Sequence, residues 1–195
     1  MSVVLLKDFA TFARKIYLQA MQQDKISNRI YGFPPLMCKD PKVLILGSLP
    51  GHESLDHKEY YYSNSNRIWK VICGITGEIL PESYDQKKAF LAKYSIVLWD
   101  YYESAVRDGS DDKNIRDERP NDIVSFIREN SSITTIAING FGKYKKFGRT
   151  LERLLQEAQL IGIRVLRLPE TSGANTNYGW GVLSNLISEW KCIMD

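Results

Sequence analysis

VLILGSLPGHESLDHKEYYYSNSNRIWKVI, residues 43–72, is the stretch whose reading decides the fold. Its four leading apolar residues, Val43 to Leu46, read as a fully buried strand. Gly47-Ser48-Leu49-Pro50-Gly51 then breaks the chain at what becomes the strand's carboxyl end. Three consecutive tyrosines follow (Tyr60, Tyr61, Tyr62), then Asn64 and Asn66, then an apolar helical pattern on Ile68, Trp69 and Ile72. In open α/β sheets ligands bind outside the carboxyl ends of the strands. A tight loop carrying aromatic rings and carboxamides at that edge is therefore where a site is expected.

Working outward, the same alternation recurs. Ser95–Trp99 reads as a second strand ending at Asp100, Ile133–Ile138 as a third ending at Asn139-Gly140, and Ile163–Leu168 as a fourth ending in Pro169-Glu170-Thr171-Ser172-Gly173-Ala174-Asn175. Between them lie helical patterns over about 66–74, 83–93, 141–160 and 181–193. A further helix starts behind Pro120, which suits a first helical position, with Ile123, Phe126 and Ile127 as its apolar face. Residues 107–119 are so charged that a solvated loop is expected. Upstream, Leu5, Phe9, Phe12, Ala13, Ile16 and Ala20 give a helix over about 6–23, and 24–42 read as a connector broken by Gly32, Pro34, Pro35 and Pro41. Strands separated repeatedly by helices mean a three-layer α/β/α sandwich around a four-stranded parallel sheet. One domain spans 1–195, with residues 1–40 as an extra N-terminal helix and connector.

Composition narrows the function. At 195 residues the chain makes one domain, with no apolar run of transmembrane length and no leader pattern in Met1 to Leu6. Cys38, Cys73 and Cys192 are odd in number, scattered and outside any CxxC, which points to a reducing, cytoplasmic setting without disulfide, zinc or iron–sulfur chemistry. Neither metal nor cofactor is expected, and the protein reads as a monomer. A net charge of +3 permits nucleic-acid binding without demanding it. GxGxxG after the first strand, GxxxxGK[ST] and GxSxG are all absent, so dinucleotide, P-loop and α/β-hydrolase readings fall away. His52 and His57 sit in a charged stretch, most simply as solvated loop residues.

The strand ends carry a further pattern. Gly47-Ser48-Leu49-Pro50, Tyr60-Tyr61, Asn66-Arg67-Ile68-Trp69, Leu98-Trp99-Asp100, Asn139-Gly140 and Leu168–Asn175 occur in that order. The set resembles the uracil-DNA glycosylase superfamily, and within it the hypoxanthine-DNA glycosylase group related to the mismatch-specific G:T/U enzymes. The likeness covers about residues 43–180. It implies the superfamily's α/β/α fold, DNA with a damaged or mismatched base as partner, and excision of uracil or hypoxanthine without a cofactor. Departures are visible. The first loop offers Ser48 where better-known members carry Asp or Asn, the second loop lacks a His, and Glu170, Gly173 and Asn64 replace the group's usual Ser, Pro and Pro.

Elementary chemistry assigns candidate roles. A base in a duplex must be flipped out to be cut, and then needs a stacking surface and partners for its edge. Tyr61 or its neighbour Tyr60 can stack on it, while Asn139 and the Gly47-Ser48-Leu49-Pro50 loop read the edge. N-glycosidic cleavage passes through an oxocarbenium-like sugar and needs a placed water. Asn66 can hold that water, though a helix cap accounts for it equally well. Asp100 can accept from a base N–H or position the water. Thr171, Ser172, Gly173, Ala174, Asn175 and Lys143 are the candidate DNA contacts; Lys143, Lys145, Lys146 and Arg149 form the densest basic cluster, which a solvated helix face also explains. A catalytically silent, nucleic-acid- or nucleobase-binding member of the fold is the alternative. A small-molecule transferase or hydrolase is a third reading.

Overall fold

A computed structural model describes residues 28–140, 148–176 and 179–195. The helix expected over 6–23, Lys143 and the start of the basic helix lie outside the described residues.

The central sheet contains β2 (Val43–Gly47), β3 (Ile96–Asp100), β6 (Thr135–Asn139) and β7 (Arg164–Leu168), all parallel, in the order β3-β2-β6-β7. The alternation of side chains along each strand sorts the core into two layers. Leu44 and Leu46 of β2, Val97 of β3, and Ile136 and Ile138 of β6 enter one cluster. They meet α4 (Ile123–Glu129) and α5 (Gly148–Leu160) through Ile123, Ile127, Leu154, Leu155 and Ala158. Val43, Ile45, Ile96, Leu98 and Ala137 face the other side. There α2 (Ile68–Thr76), α3 (Tyr84–Lys93) and α6 (Leu183–Trp190) cover them with Ile68, Trp69, Ile72, Phe90, Leu91, Leu186 and Trp190. The expected α/β/α sandwich with a four-stranded parallel sheet is thus found. Helix α2 approaches α6 closely because Gly74 carries no side chain: a Cβ there would fall 2.3 Å from Ile187 Cδ1.

A second sheet is a correction to the sequence reading. β1 (Arg29–Tyr31), β4 (Tyr102–Val106) and β5 (Arg116–Pro120) form an antiparallel sheet in the order β1-β4-β5. The charged 107–119 stretch is therefore not a simple solvated loop. Arg107 is 2% exposed and Ile115 is buried, while every residue of β5 is exposed, the pattern of an edge strand shielded by charge. Pro120 ends β5 instead of opening a helix, and α4 starts at Ile123 behind the Asp122 cap. The histidines also sit differently, since His52 and His57 bound a short helix, α1 (His52–His57). The 24–42 connector contributes β1 and a bridge from Leu36 to Leu98. Ile133 is buried but precedes its strand, its N–H closing the turn after α4 onto Asn130 O.

This topology places the site. Chain order reverses across β2, with β3 on one side and β6 on the other, so a crevice opens between the loop after β2 and the end of β6.

Candidate active site

A cleft of about 500 Å³ opens over the carboxyl ends of the parallel strands. Gly47, Ser48, Leu49, Pro50, Tyr60, Tyr61, Asn66, Asp100, Asn139, Ser172 and Ala174 line it. Thr171 and Asn175 are buried behind its wall, Gly173 packs on Ser65, and Lys143 lies outside the described residues.

Asp100, the last residue of β3, stands opposite Gly47 in the strand register. It is 4% exposed, and its Oδ2 has no hydrogen-bond partner among the described residues. Burial, with the charge of Asp112 behind it, pushes the carboxyl up to about 7, against a smaller opposing pull from Arg107. A Cβ on residue 47 would sit 2.5 Å from Asp100 Oδ1 and 2.9 Å from the Tyr61 hydroxyl. Glycine is thus needed there to let the carboxyl and the phenol converge on the cleft floor.

The three tyrosines divide as successive residues must. Tyr60 is buried, its hydroxyl donating to the carbonyls of Phe33 and Pro34 and its ring edge-on to Phe33. Tyr62 is exposed and stacks on His57 with ring centroids 3.6 Å apart. Tyr61 is half-buried in the cleft and has φ +52°, a left-handed conformation costly for a large side chain. Its carbonyl accepts from Trp69 Nε1 at 3.2 Å, and its hydroxyl accepts from Asn139 Nδ2 at 3.3 Å. Burial and the nearby Asp100 raise its pKa, so the phenol stays protonated.

Asn139 and Asn66 belong to one network. Asn139 Nδ2 also donates to Thr171 Oγ1 at 3.0 Å, and its Oδ1 accepts from Thr171 N at 2.9 Å. The Thr171 hydroxyl in turn donates to Asn66 Oδ1 at 2.9 Å, which also accepts from Ile68 N at 3.0 Å. These two donors fix the oxygen of the Asn66 carboxamide at the start of α2. The N-cap position itself is held by Arg67, without a side-chain cap bond, so the expected capping role of Asn66 is corrected to one bond to the first helical N–H, made by a residue that also lines the cleft.

Two features escaped the sequence. Arg67 holds the loop after β7 by its fork, donating to the carbonyls of Thr171 (3.3 Å), Ser172 (2.7 Å), Asn175 (3.1 Å) and Trp180 (2.5 Å). Buried Arg107 does the same for the first loop, donating to Pro50 O and Gly109 O. It lies 3.7 Å from Asp112, which accepts from Ser48 Oγ at 2.7 Å. For Arg67 the signal was its place in the Asn66–Trp69 segment; for Arg107 it was masked by the charged residues around it. Among the described residues no group of three or more His, Cys, Asp or Glu could hold a metal ion.

A three-layer α/β/α protein with a polar, tyrosine-walled cleft at its topological switch point is the class that fold and site define. No family profile matches the chain. A hypoxanthine DNA glycosylase of Methanosarcina acetivorans is 33% identical over 163 residues, covering 83% of this chain and 96% of that protein. Another, from Methanosarcina barkeri, is 32% identical, covering 74% and 87%. The solution structure of a candidate uracil DNA glycosylase from Methanosarcina acetivorans superposes with a TM-score of 0.68 at 29% identity, covering 85% of this chain and 96% of that one. The chain belongs to the uracil-DNA glycosylase superfamily, in the group of the hypoxanthine DNA glycosylases.

Proposed function

We propose that the protein is a monofunctional DNA glycosylase that excises a deaminated or mismatched base, hypoxanthine or uracil, by hydrolysing its N-glycosidic bond in base excision repair. The observation that carries this is the convergence of Asp100, Tyr61 and Asn66 in one cleft at the switch point. Both curated relatives are named for hypoxanthine excision, and the structural neighbour for uracil.

In this reading a flipped base enters the cleft and stacks on Tyr61, whose hydroxyl Asn139 holds. Asn139 acts on the base through Tyr61, since its carboxamide is engaged with Thr171. The Ser48-Leu49 loop meets the base edge. The Asn66 NH2 donates to the oxygen of the attacking water, and the Asp100 carboxylate draws off its proton as the water closes on C1′. The electrons of the C1′–N bond leave with the base, and the proton drawn off by Asp100 passes to the base nitrogen, so a neutral base is released and the carboxylate is restored. Ser172, Gly173, Ala174 and Lys143 are the proposed DNA contacts, while buried Thr171 and Asn175 brace the loop from within. The enzyme works as a cytoplasmic monomer without metal or cofactor.

Incubation with duplex oligonucleotides carrying one uracil or one hypoxanthine, followed by alkali, tests this. Strand breaks at the lesion are expected. Tight binding of lesion DNA with no break would favour the catalytically silent reading, for which Ser48 in place of an acidic or amide residue in the first loop is the motivating feature.

A further inference from the structure

We propose that the same cleft also accepts and excises bases that carry a positive charge, the N-alkylated purines, a substrate class that follows from its anionic walls. The inference rests on the glycosylase reading above.

The lining of the cleft, as described, includes five carboxyl groups, those of Glu53, Asp100, Asp111, Asp112 and Glu170. His52 is the one basic side chain among the described lining residues. Asp112 has Arg107 at 3.7 Å, and Asp111 has Lys113 at 2.9 Å. Asp100 is the independent observation. It is 4% exposed, lines the cleft, and leaves Oδ2 without a hydrogen-bond partner among the described residues. Its carboxyl resists ionisation because burial and the Asp112 charge both disfavour a further negative charge there. A cation seated against it reverses that balance, and its binding expels the proton. Such walls oppose a phosphate or an anionic ring but favour a ring bearing a positive charge.

The chemistry suits the same atoms. In a 7-alkylguanine nucleotide the ring is cationic, so the C1′–N9 pair leaves into the ring and neutralises it. No acid is then needed at the departing base. Water forms the new bond to C1′, and its proton passes to the Asp100 carboxylate. The Tyr61 face adds attraction, since a cation over an aromatic ring is stabilised by the ring's quadrupole.

The test uses the full chain with duplex DNA treated with a methylating agent, following release of free 7-methylguanine and 3-methyladenine by chromatography. Parallel duplexes carry hypoxanthine and uracil. Release of the methylated purines well above their spontaneous rate, together with release of a deaminated base, is expected. A Glu53→Gln, Asp111→Asn double variant should then lower the methylated-to-deaminated ratio by roughly severalfold, since two exposed carboxylates of the lining no longer attract the cation. Hypoxanthine or uracil release with methylated purines left at the spontaneous rate would overturn this inference and leave the proposed function standing. An unchanged ratio in the double variant would also overturn it. Release of no base at all would bring down both.

Discussion

Asn66 is where one side chain does two jobs. Its oxygen accepts from Ile68 N and Thr171 Oγ1, and its NH2 is proposed to hold the attacking water. Asn66→Ala should therefore slow single-turnover excision by orders of magnitude, and should also cost roughly 1 kcal/mol in denaturant unfolding from the lost bond to Ile68 N. Asn66→Asp keeps an acceptor for Ile68 N, so its stability should stay near that of the parent. Excision at the normal rate in Asn66→Ala would move the water-placing role to Asp100. That residue has its own signature. Its folded pKa, about 7, lies above the ordinary carboxylate value of 3.8, so the folded protein holds the proton more tightly than the unfolded chain. The stability this confers is complete at pH below the unfolded value and is lost as pH rises through about 7. At one unit per about 1.4 kcal/mol the loss is of order 4 kcal/mol. Asp100→Asn should flatten that slope in unfolding measured between about pH 4 and pH 8. If the carboxylate takes the proton of water, kcat should climb through about 7 in the parent and lose this limb in the variant.

At the scale of elements, two arginines pin irregular loops onto regular structure. Arg67 leads into α2 and joins it to the loop after β7, while Gly173 lets that loop lie with its missing Cβ only 2.6 Å from Ser65 O. A lysine at 67 keeps the charge but cannot meet the Thr171, Ser172, Asn175 and Trp180 carbonyls together. Arg67→Lys should thus raise proteolytic nicking and hydrogen exchange in residues 171–180 and weaken lesion-DNA binding, while global stability falls by roughly 1–3 kcal/mol. Unchanged exchange in that loop would show the clamp to be dispensable. Gly47→Ala is the matching test on the other wall. Its Cβ would collide with Asp100 Oδ1 and the Tyr61 hydroxyl, so excision should collapse. The parallel sheet, anchored by fully buried Leu44, Ile45 and Leu98, should still form, as far-ultraviolet circular dichroism would record.

For the whole molecule the question is how DNA meets the cleft. The cluster Lys143, Lys145, Lys146 and Arg149 is proposed to meet the backbone. Replacing these four by neutral residues should weaken binding whatever the lesion. It should also flatten the plot of log K against log salt by about 0.9 for each phosphate no longer neutralised. An unchanged slope would place the DNA on another face. Excision is expected to survive EDTA, since the described residues offer no cluster of metal ligands. Complete loss in EDTA, restored by a divalent ion, would sink the proposed mechanism.

The sequence by itself determined the parallel sheet and its strand ends. Apolar runs such as Val43–Leu46 can only be buried on both faces, and Gly47, Asp100 and Asn139 follow them directly, with Thr171 three residues beyond Leu168. Once four strands lie parallel, their ends must gather along one edge, so the strand-end part of the cleft lining was legible, whereas the Ser110–Asp112 wall was not. The small antiparallel sheet was not. Its β5 is charged throughout because an edge strand needs no buried face, and its β1 is only three residues long. Arg107 read as solvated because sequence shows charge but not the carbonyls of Pro50 and Gly109 that let it be buried. Only the tertiary structure could decide that the Asn66 oxygen is held by Thr171, and that the Asp100 carboxyl resists ionisation. Both depend on partners far along the chain, Thr171 for the first and Asp112 with the surrounding core for the second. Local pattern records a residue's chemistry; hydrogen-bond direction and desolvation exist only once the chain has closed around it.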